Sequence, residues 1–388
     1  MSMASWITAG NNYGAFIAVI FTSIASHFVG RKPIFIFAAV ITLTANMLLY
    51  FSVNTSHILI SQVMQGVNGA CTLTIDLMII GEYTTSHYRG IFLTIKTAMM
   101  YWGIWTSNAI GTFFHWKNIG IVGIVCSFYT ITTSSFWPES PFWLAEKGRL
   151  QECTNSLRWL KGQNENSDTE LQFLLKTNEN TNANVCINDK HTSFLQKANE
   201  VRKGVIEREF IKPTLLGMLI LVTYHSTGKY VLSVYAIDII KNITNNDRTS
   251  YIVMLFLDGI TVFGMYVGCV LSKFVKRRLL FLNGSVVGIL SLFLTSGYLY
   301  LIHLNEFQEN KYVTVTLLTL FSISISMGPI VLSSSLIAEI APLRLRSLSF
   351  FILIFFNFIV AANAVKLAPL IFASFYTHGA FFLYASLS

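Results

Sequence analysis

Glu82 and Arg89 stand seven residues apart in GEYTTSHYRG, and Glu339 and Arg346 stand seven apart in AEIAPLRLRS. Opposite charges repeated at one spacing can hold helix ends together through ion pairs that form in one conformation and break in another. The two pairs are offset by 257 residues, and Arg31 and Arg277, each at the end of an apolar run, are offset by 246. The chain therefore reads as two halves repeated in parallel. One such pair alone is better explained as snorkelling interface charge; two in matching places favour a conformational latch.

Five ionisable residues fall inside apolar runs: Asp76, Lys96, Lys229, Asp258 and Lys366. Each costs about 2.5–3.5 kcal/mol at a helix centre in a bilayer, so partners are expected. Asp76 lies six residues before Glu82 and Lys96 seven after Arg89; at about 1.5 Å per residue both sit roughly 9–10 Å inward on antiparallel neighbours, where they can pair. Lys229 and Asp258 lie at similar depth and form a second candidate pair. Both pairs are compatible with a charged-substrate or proton site and with structural ion pairs. Lys366 has no partner apparent in the sequence, and either lines a cavity or snorkels.

Enzyme chemistry finds no support. There is no GxxxxGK[ST] loop, no HExxH and no nucleophile with a neighbouring base. The five cysteines, Cys71, Cys126, Cys153, Cys186 and Cys269, follow no CxxC spacing and read as free packing thiols. No metal site and no cofactor is expected.

The elements that hold these residues follow from composition. Charged residues make up 12% of the 388-residue chain and aromatic residues 14%, against about 25% charged in soluble proteins. Mean hydropathy is +0.56. Of 46 formal charges, 22 fall between Glu139 and Lys212, 11 of each sign. The rest divides into runs long enough for a hydrocarbon layer that needs about 20 helical residues: 11–29, 33–53, 57–80, 91–113, 117–137, 213–236, 250–272, 278–302, 312–337 and 348–374. A further run from 378 is too short to cross. The expected class is an all-α polytopic membrane protein in the lipid bilayer. Its parts are an N-terminal transmembrane half (1–137), a cytoplasmic helical loop domain (138–212) and a C-terminal transmembrane half (213–388).

Nine of the 16 Lys and Arg outside the central block sit at alternate turns, from Arg31 and Lys32 to Arg344 and Arg346, which marks that side as cytoplasmic. The sequons at Asn54 and Asn242 then lie outside, open to glycosylation, while the one at Asn283 falls at the inner edge. This topology starts the chain outside without a basic signal-peptide region, which is most simply explained by one more span ahead of Met1. The net charge of +8 belongs to this asymmetry and not to nucleic-acid binding. Within 138–212, LQECTNSLRWLKG places Leu150, Cys153, Leu157 and Leu160 at helical spacing, and the polar stretch 178–188 is expected to be mobile.

Together GRK at Gly30–Lys32, GEYTTSHYRG, PESPFWL from Pro138, SLRWLKG, VYAIDIIK and HGAFFLYA resemble the sugar porters of the major facilitator superfamily, and within them the facilitated trehalose transporter-like group. The resemblance implies two six-helix halves, here lacking the family's first helix and most of its twelfth, with a solute bound between the halves. The N-terminal half then holds family helices 2–6, and the C-terminal half helices 7–11 and part of 12. It implies a multi-pass plasma-membrane transporter of a small solute, a sugar among the candidates, working by alternating access. A carrier of organic ions or other non-sugar solutes, and a truncated non-transporting membrane protein, are the rivals. Oligomeric state is not implied. Arg31, Glu82, Arg89, Glu139, Arg277, Glu339 and Arg346 take the latch positions. Departures concentrate where sugar binds in the family. Thr97 stands for a Gln, Tyr224 and His225 for a Gln-Gln pair, Tyr230 and Thr261 for Asn, and Ser334 for a Trp. Of the site amides only Asn357 is kept. Ser23 and His27 replace a Gly and an Asp of the inner-loop signature, Gln62 an Arg, and Phe142 the Arg of PESPRWL. Lost amides leave sugar hydroxyls unmet, at roughly 1–3 kcal/mol per buried group. A cavity of Thr97, Tyr224, His225, Tyr230, Thr261 and Asn357 is thus expected to take something other than a family sugar.

Overall fold

The computed structural model describes residues 3–163, 171, 207–244, 247–304, 310–340 and 346–388. The stretch 178–188, Arg344 and the side chain of Arg346 lie outside the described residues, as does the side chain of Asn242. Among the described residues every regular element is helical. The first half comprises α1 (Met3–Val29), α2 (Arg31–Tyr50), α3 (Thr55–Tyr83), α4 (Ser86–Phe113) and α5 (Asn118–Ser135), followed by short α6 (Pro141–Glu146) and α7 (Leu150–Lys161). The second comprises α8 (Arg208–Ser226), α9 (Lys229–Val234), α10 (Ala236–Thr244), α11 (Asp247–Phe274), α12 (Arg277–His303), α13 (Lys311–Ile325), α14 (Val331–Ile340) and α15 (Arg346–Leu387).

The offsets seen in the charges hold for whole helices. Adding 246 carries α1 onto α11 and starts α2 at Arg277, the first residue of α12; adding 257 carries α3 onto α13–α14. One difference between the copies is the wide helical turn Ser326–Ile330 between α13 and α14, where Pro329 has no N–H for the regular ladder.

Among the described residues eight helical runs are long and apolar enough to cross a membrane. The expected spans at 91–113 and 213–236 are not among them. Helix α4 has the length but carries Arg89, Lys96 and many hydroxyls, and α8, also long enough, opens on Arg208, Glu209 and Lys212 and ends on the polar Tyr224, His225 and Ser226 before the left-handed Gly228. At the other extreme, the expected span 348–374 and the run from 378 form one helical stretch, broken at Tyr376 (φ 56°).

Within the first half α1 packs on α3, and α2 on α3 and α5; within the second α12 packs on α13 and α15. The halves meet where α1 crosses α15 and α4 crosses α11. Leu221 and Phe358 of the second half share a buried cluster with Ala15, Ala70 and Leu93 of the first, so burial of apolar area runs through the seam. Met265, Leu292, Phe321 and Ile325 fill the second half.

The crossing of α1 and α3 is backbone on backbone. A Cβ on Gly66 would meet the carbonyl oxygen of Asn11 and lie 2.5 Å from the nitrogen of Ala15. Neither backbone atom can rotate away, so Gly66→Ala is expected to push the helices apart and cost about 1–3 kcal/mol or more. Thermal unfolding in detergent checks this; an unchanged midpoint would refute the crossing.

Candidate functional site

Two ion pairs occupy one end of the bundle in matching positions. Arg31, first residue of α2, donates to Glu82 in the last turn of α3 at 3.1 Å; Arg277, first residue of α12, pairs with Glu339 at the end of α14. Arg89 does not join Glu82. Its Nη2 donates to the carbonyl of Gly81 at 2.6 Å, a cation at the C-terminus of α3.

Glu139 holds PESPFWL against the first pair. Its carboxylate accepts from the backbone N–H groups of Arg31 (3.0 Å), Lys32 (3.2 Å) and Ser140 (2.9 Å), supplying the cap that Gly30, at the N-terminus of α2, has no side chain to give. Ser140 donates to Glu82 and caps α6 through the N–H of Trp143. Trp143 Nε1 in turn donates to His27 O at 3.1 Å. Helix α7 buries Cys153 and Leu157 against this module, while Leu150 turns outward, and burial raises the Cys153 thiol above its ordinary pKa. The second pair reaches across the seam: a Cβ on Gly90 of α4 would lie 2.5 Å from Arg277 Nη2. The guanidinium bonded to Glu339 therefore presses on the first half where α4 has no side chain.

Deeper in the bundle the six expected cavity residues fall into three groups. His225 Nε2 and Asn357 Oδ1 are 3.0 Å apart, while His225 Nδ1 is buried with no partner among the described residues. Tyr224 OH lies 3.3 Å from Tyr101 OH, and Tyr230 OH accepts from Asn12 Nδ2 at 3.2 Å. The rings of Tyr224 and Tyr230 both stand edge-on to His225. Thr97 faces Ser334 at 3.3 Å. Thr261 is apart from these: it is 1% exposed and its hydroxyl is given to Leu257 O of its own helix. Asn12 and Tyr101, absent from the sequence reading, belong with the group because they close its hydrogen bonds from α1 and α4.

The two expected intramembrane pairs differ. Asp76 Oδ2 and Lys96 Nζ lie 3.6 Å apart, with Lys96 also donating to Thr72 O. Lys229 and Asp258 form no ion pair among the described residues. Lys229 Nζ donates to Ser322 at 3.1 Å and Asp258 accepts from Asn108 at 2.7 Å. Equal depth placed them on the same level, but each points to a neutral partner on another helix. Lys366 lies over the ring of Trp6 at 3.8 Å and near that of Tyr13 at 5.6 Å, a cation–π contact.

A cavity of about 640 Å³ opens elsewhere, among α2, α3, α4 and α5, with Asn46, Gln62, Gln65 and Ser107 in its wall. The repeat offsets carry Asn46 to Leu292 and Gln65 to Ser322. In the second half that place is filled by α9, which brings Lys229 to Ser322 and leaves a crevice of about 10 Å³.

This arrangement is that of a major facilitator superfamily transporter. The proton:xylose symporter XylE bound to 6-bromo-6-deoxy-D-glucose superimposes with a TM-score of 0.80 at 14% identity, over 100% of this chain and 84% of that one. The inward open xylose transporter XylE from E. coli gives 0.74 at 14% identity, over 100% and 85%. The family described as "Sugar (and other) transporter" matches residues 1–388, and the chain belongs to it. It is a multi-pass integral membrane protein of a transporter family, not of an enzyme family. Facilitated trehalose transporters of Bombyx mori (23% identical over 365 residues, 92% of this chain and 68% of that protein) and Apis mellifera ligustica (21% over 391 residues, 100% and 74%) are among its relatives. One from Drosophila erecta is 20% identical over 362 residues, and the chain spans 41% of that protein's length.

Proposed function

We propose that the protein moves a small solute across the plasma membrane by alternating access, and that the solute is flatter or less hydroxylated than a disaccharide. The observation that carries this is the group Asn12, Tyr101, Tyr224, His225, Tyr230 and Asn357. It draws hydrogen-bonding side chains from both halves to one level and sets rings where the resemblance expects amides. Rings add stacking area and remove paired donors and acceptors. The unpartnered nitrogen of His225 is left for the solute. Arg31–Glu82 and Arg277–Glu339 serve as the latch of the inner end, with Arg277 closing on Gly90 across the seam, and Asn54 and Asn242 are the glycosylation sites of the outer face. The buried charges of Lys229 and Asp258 favour an organic-ion carrier as the second reading.

The test is uptake in a transport-deficient cell, with glucose, trehalose and a panel of flat organic solutes. Saturable uptake of a sparsely hydroxylated solute is expected, with losses of roughly tenfold or more in His225→Ala and Asn357→Ala. Saturable trehalose uptake that is abolished by Asn357→Ala and indifferent to Tyr224→Ala would overturn the reading.

A further inference from the structure

Two histidines 75 residues apart in the chain meet at the end of the bundle opposite Arg31 and Arg277. His303 closes α12, and His378 lies two residues past the break in α15. Their ring centroids are 5.1 Å apart with the planes tilted by 32°. Tyr376 stacks on His378 at 6.0 Å and 10°, and its centroid is 5.5 Å from that of His303. Ser296 of α12 donates to the carbonyl of His378 at 2.7 Å, which ties the break to the helix that carries His303. His303 is exposed and His378 half-buried, and no ring nitrogen of either has a hydrogen-bond partner among the described residues.

We propose that His303 and His378 form a two-imidazole site for a divalent transition metal, zinc first. Imidazole nitrogen suits zinc, copper and nickel. With Zn–N bonds of about 2.0–2.1 Å, two rings on one tetrahedral ion hold their centroids roughly 5 Å apart, the separation found here. The same separation is compatible with plain ring packing; what adds to it is that the ring nitrogens, with no protein partner among the described residues and with water within reach of the exposed His303, are free to coordinate an ion. No third His, Cys, Asp or Glu completes a ligand set among the described residues, so water fills the remaining positions and the ion exchanges with solution. Coordination requires neutral imidazoles, so binding weakens as the histidines protonate. The site stands independently of which solute is carried.

The experiment is isothermal titration of the purified full chain with zinc chloride at neutral pH, alongside His303→Gln, His378→Gln and the double variant. One ion per chain is expected, weakened about tenfold or more in either single variant. Because both rings share the ion, the double variant should be little weaker than the singles. Tyr376→Phe should bind as the parent does. Since a variant could lose its fold, a second readout uses the unaltered chain: zinc should protect His303 and His378 from acylation by diethyl pyrocarbonate. Identical titrations of parent and double variant, or acylation indifferent to zinc, would overturn the site.

Discussion

Glu82→Ala is expected to destabilise the protein by about 3–5 kcal/mol, while Glu339→Ala, in the repeat-equivalent position, costs less than about 1 kcal/mol. The two pairs look alike in sequence but differ in surroundings. The Arg31 and Glu82 side chains are 13% and 18% exposed, those of Arg277 and Glu339 30% and 54%. Water around Glu339 can take over the solvation of Arg277 when the carboxylate is removed. Around Arg31 it cannot: the guanidinium keeps the carbonyl of Ser26 at 3.3 Å, its Nε is already without a partner among the described residues, and Ser140 loses its acceptor as well. Glu82→Gln separates the contributions, since the amide still accepts from Ser140 but no longer neutralises Arg31. Chemical unfolding in detergent reads all three variants, and equal losses for Glu82→Ala and Glu339→Ala would show that burial does not decide the matter.

The repeat was legible before any coordinates because charge is so scarce in this chain that two equal spacings stand out. Depth was legible too. A rise of about 1.5 Å per residue puts Asp76 level with Lys96, and they lie 3.6 Å apart. Direction around the helix was not. Lys229 and Asp258 share a level, yet Ser322 and Asn108 take their hydrogen bonds, because azimuth depends on how α9 is turned after Gly228. Sequence spacing also held no sign that Trp6 would cover Lys366, or that His303 would meet His378. Both contacts arise from helices brought together only by packing. The role of Glu139 lay between these cases. PESP signalled a helix break, whereas its carboxylate capping α2, some 108 residues earlier in the chain, could be seen only once α6 was in place.

Lys96→Met is expected to cost about 3–5 kcal/mol, and adding Asp76→Asn to recover most of that loss. Asp76 and Lys96 are 22% and 20% exposed at their side chains, and Asp76 Oδ1 is buried without a partner among the described residues even in the parent. Removing the ammonium leaves a carboxylate with neither oxygen compensated, the situation in which breaking a buried pair is most destabilising. In the double variant no charge remains, and the amide introduced by Asp76→Asn needs only neutral hydrogen bonds, so the pairwise coupling should exceed about 2 kcal/mol, toward the upper end of coupling found for contacting residues. Unfolding measurements on the parent, both single variants and the double complete the cycle. The same four proteins separate the two roles compatible with the pair. If it is structural, the double variant transports at the parent's rate with an unchanged dependence on external pH. If it carries protons or a charged solute, the double variant is as stable as the cycle predicts and yet loses coupled uptake.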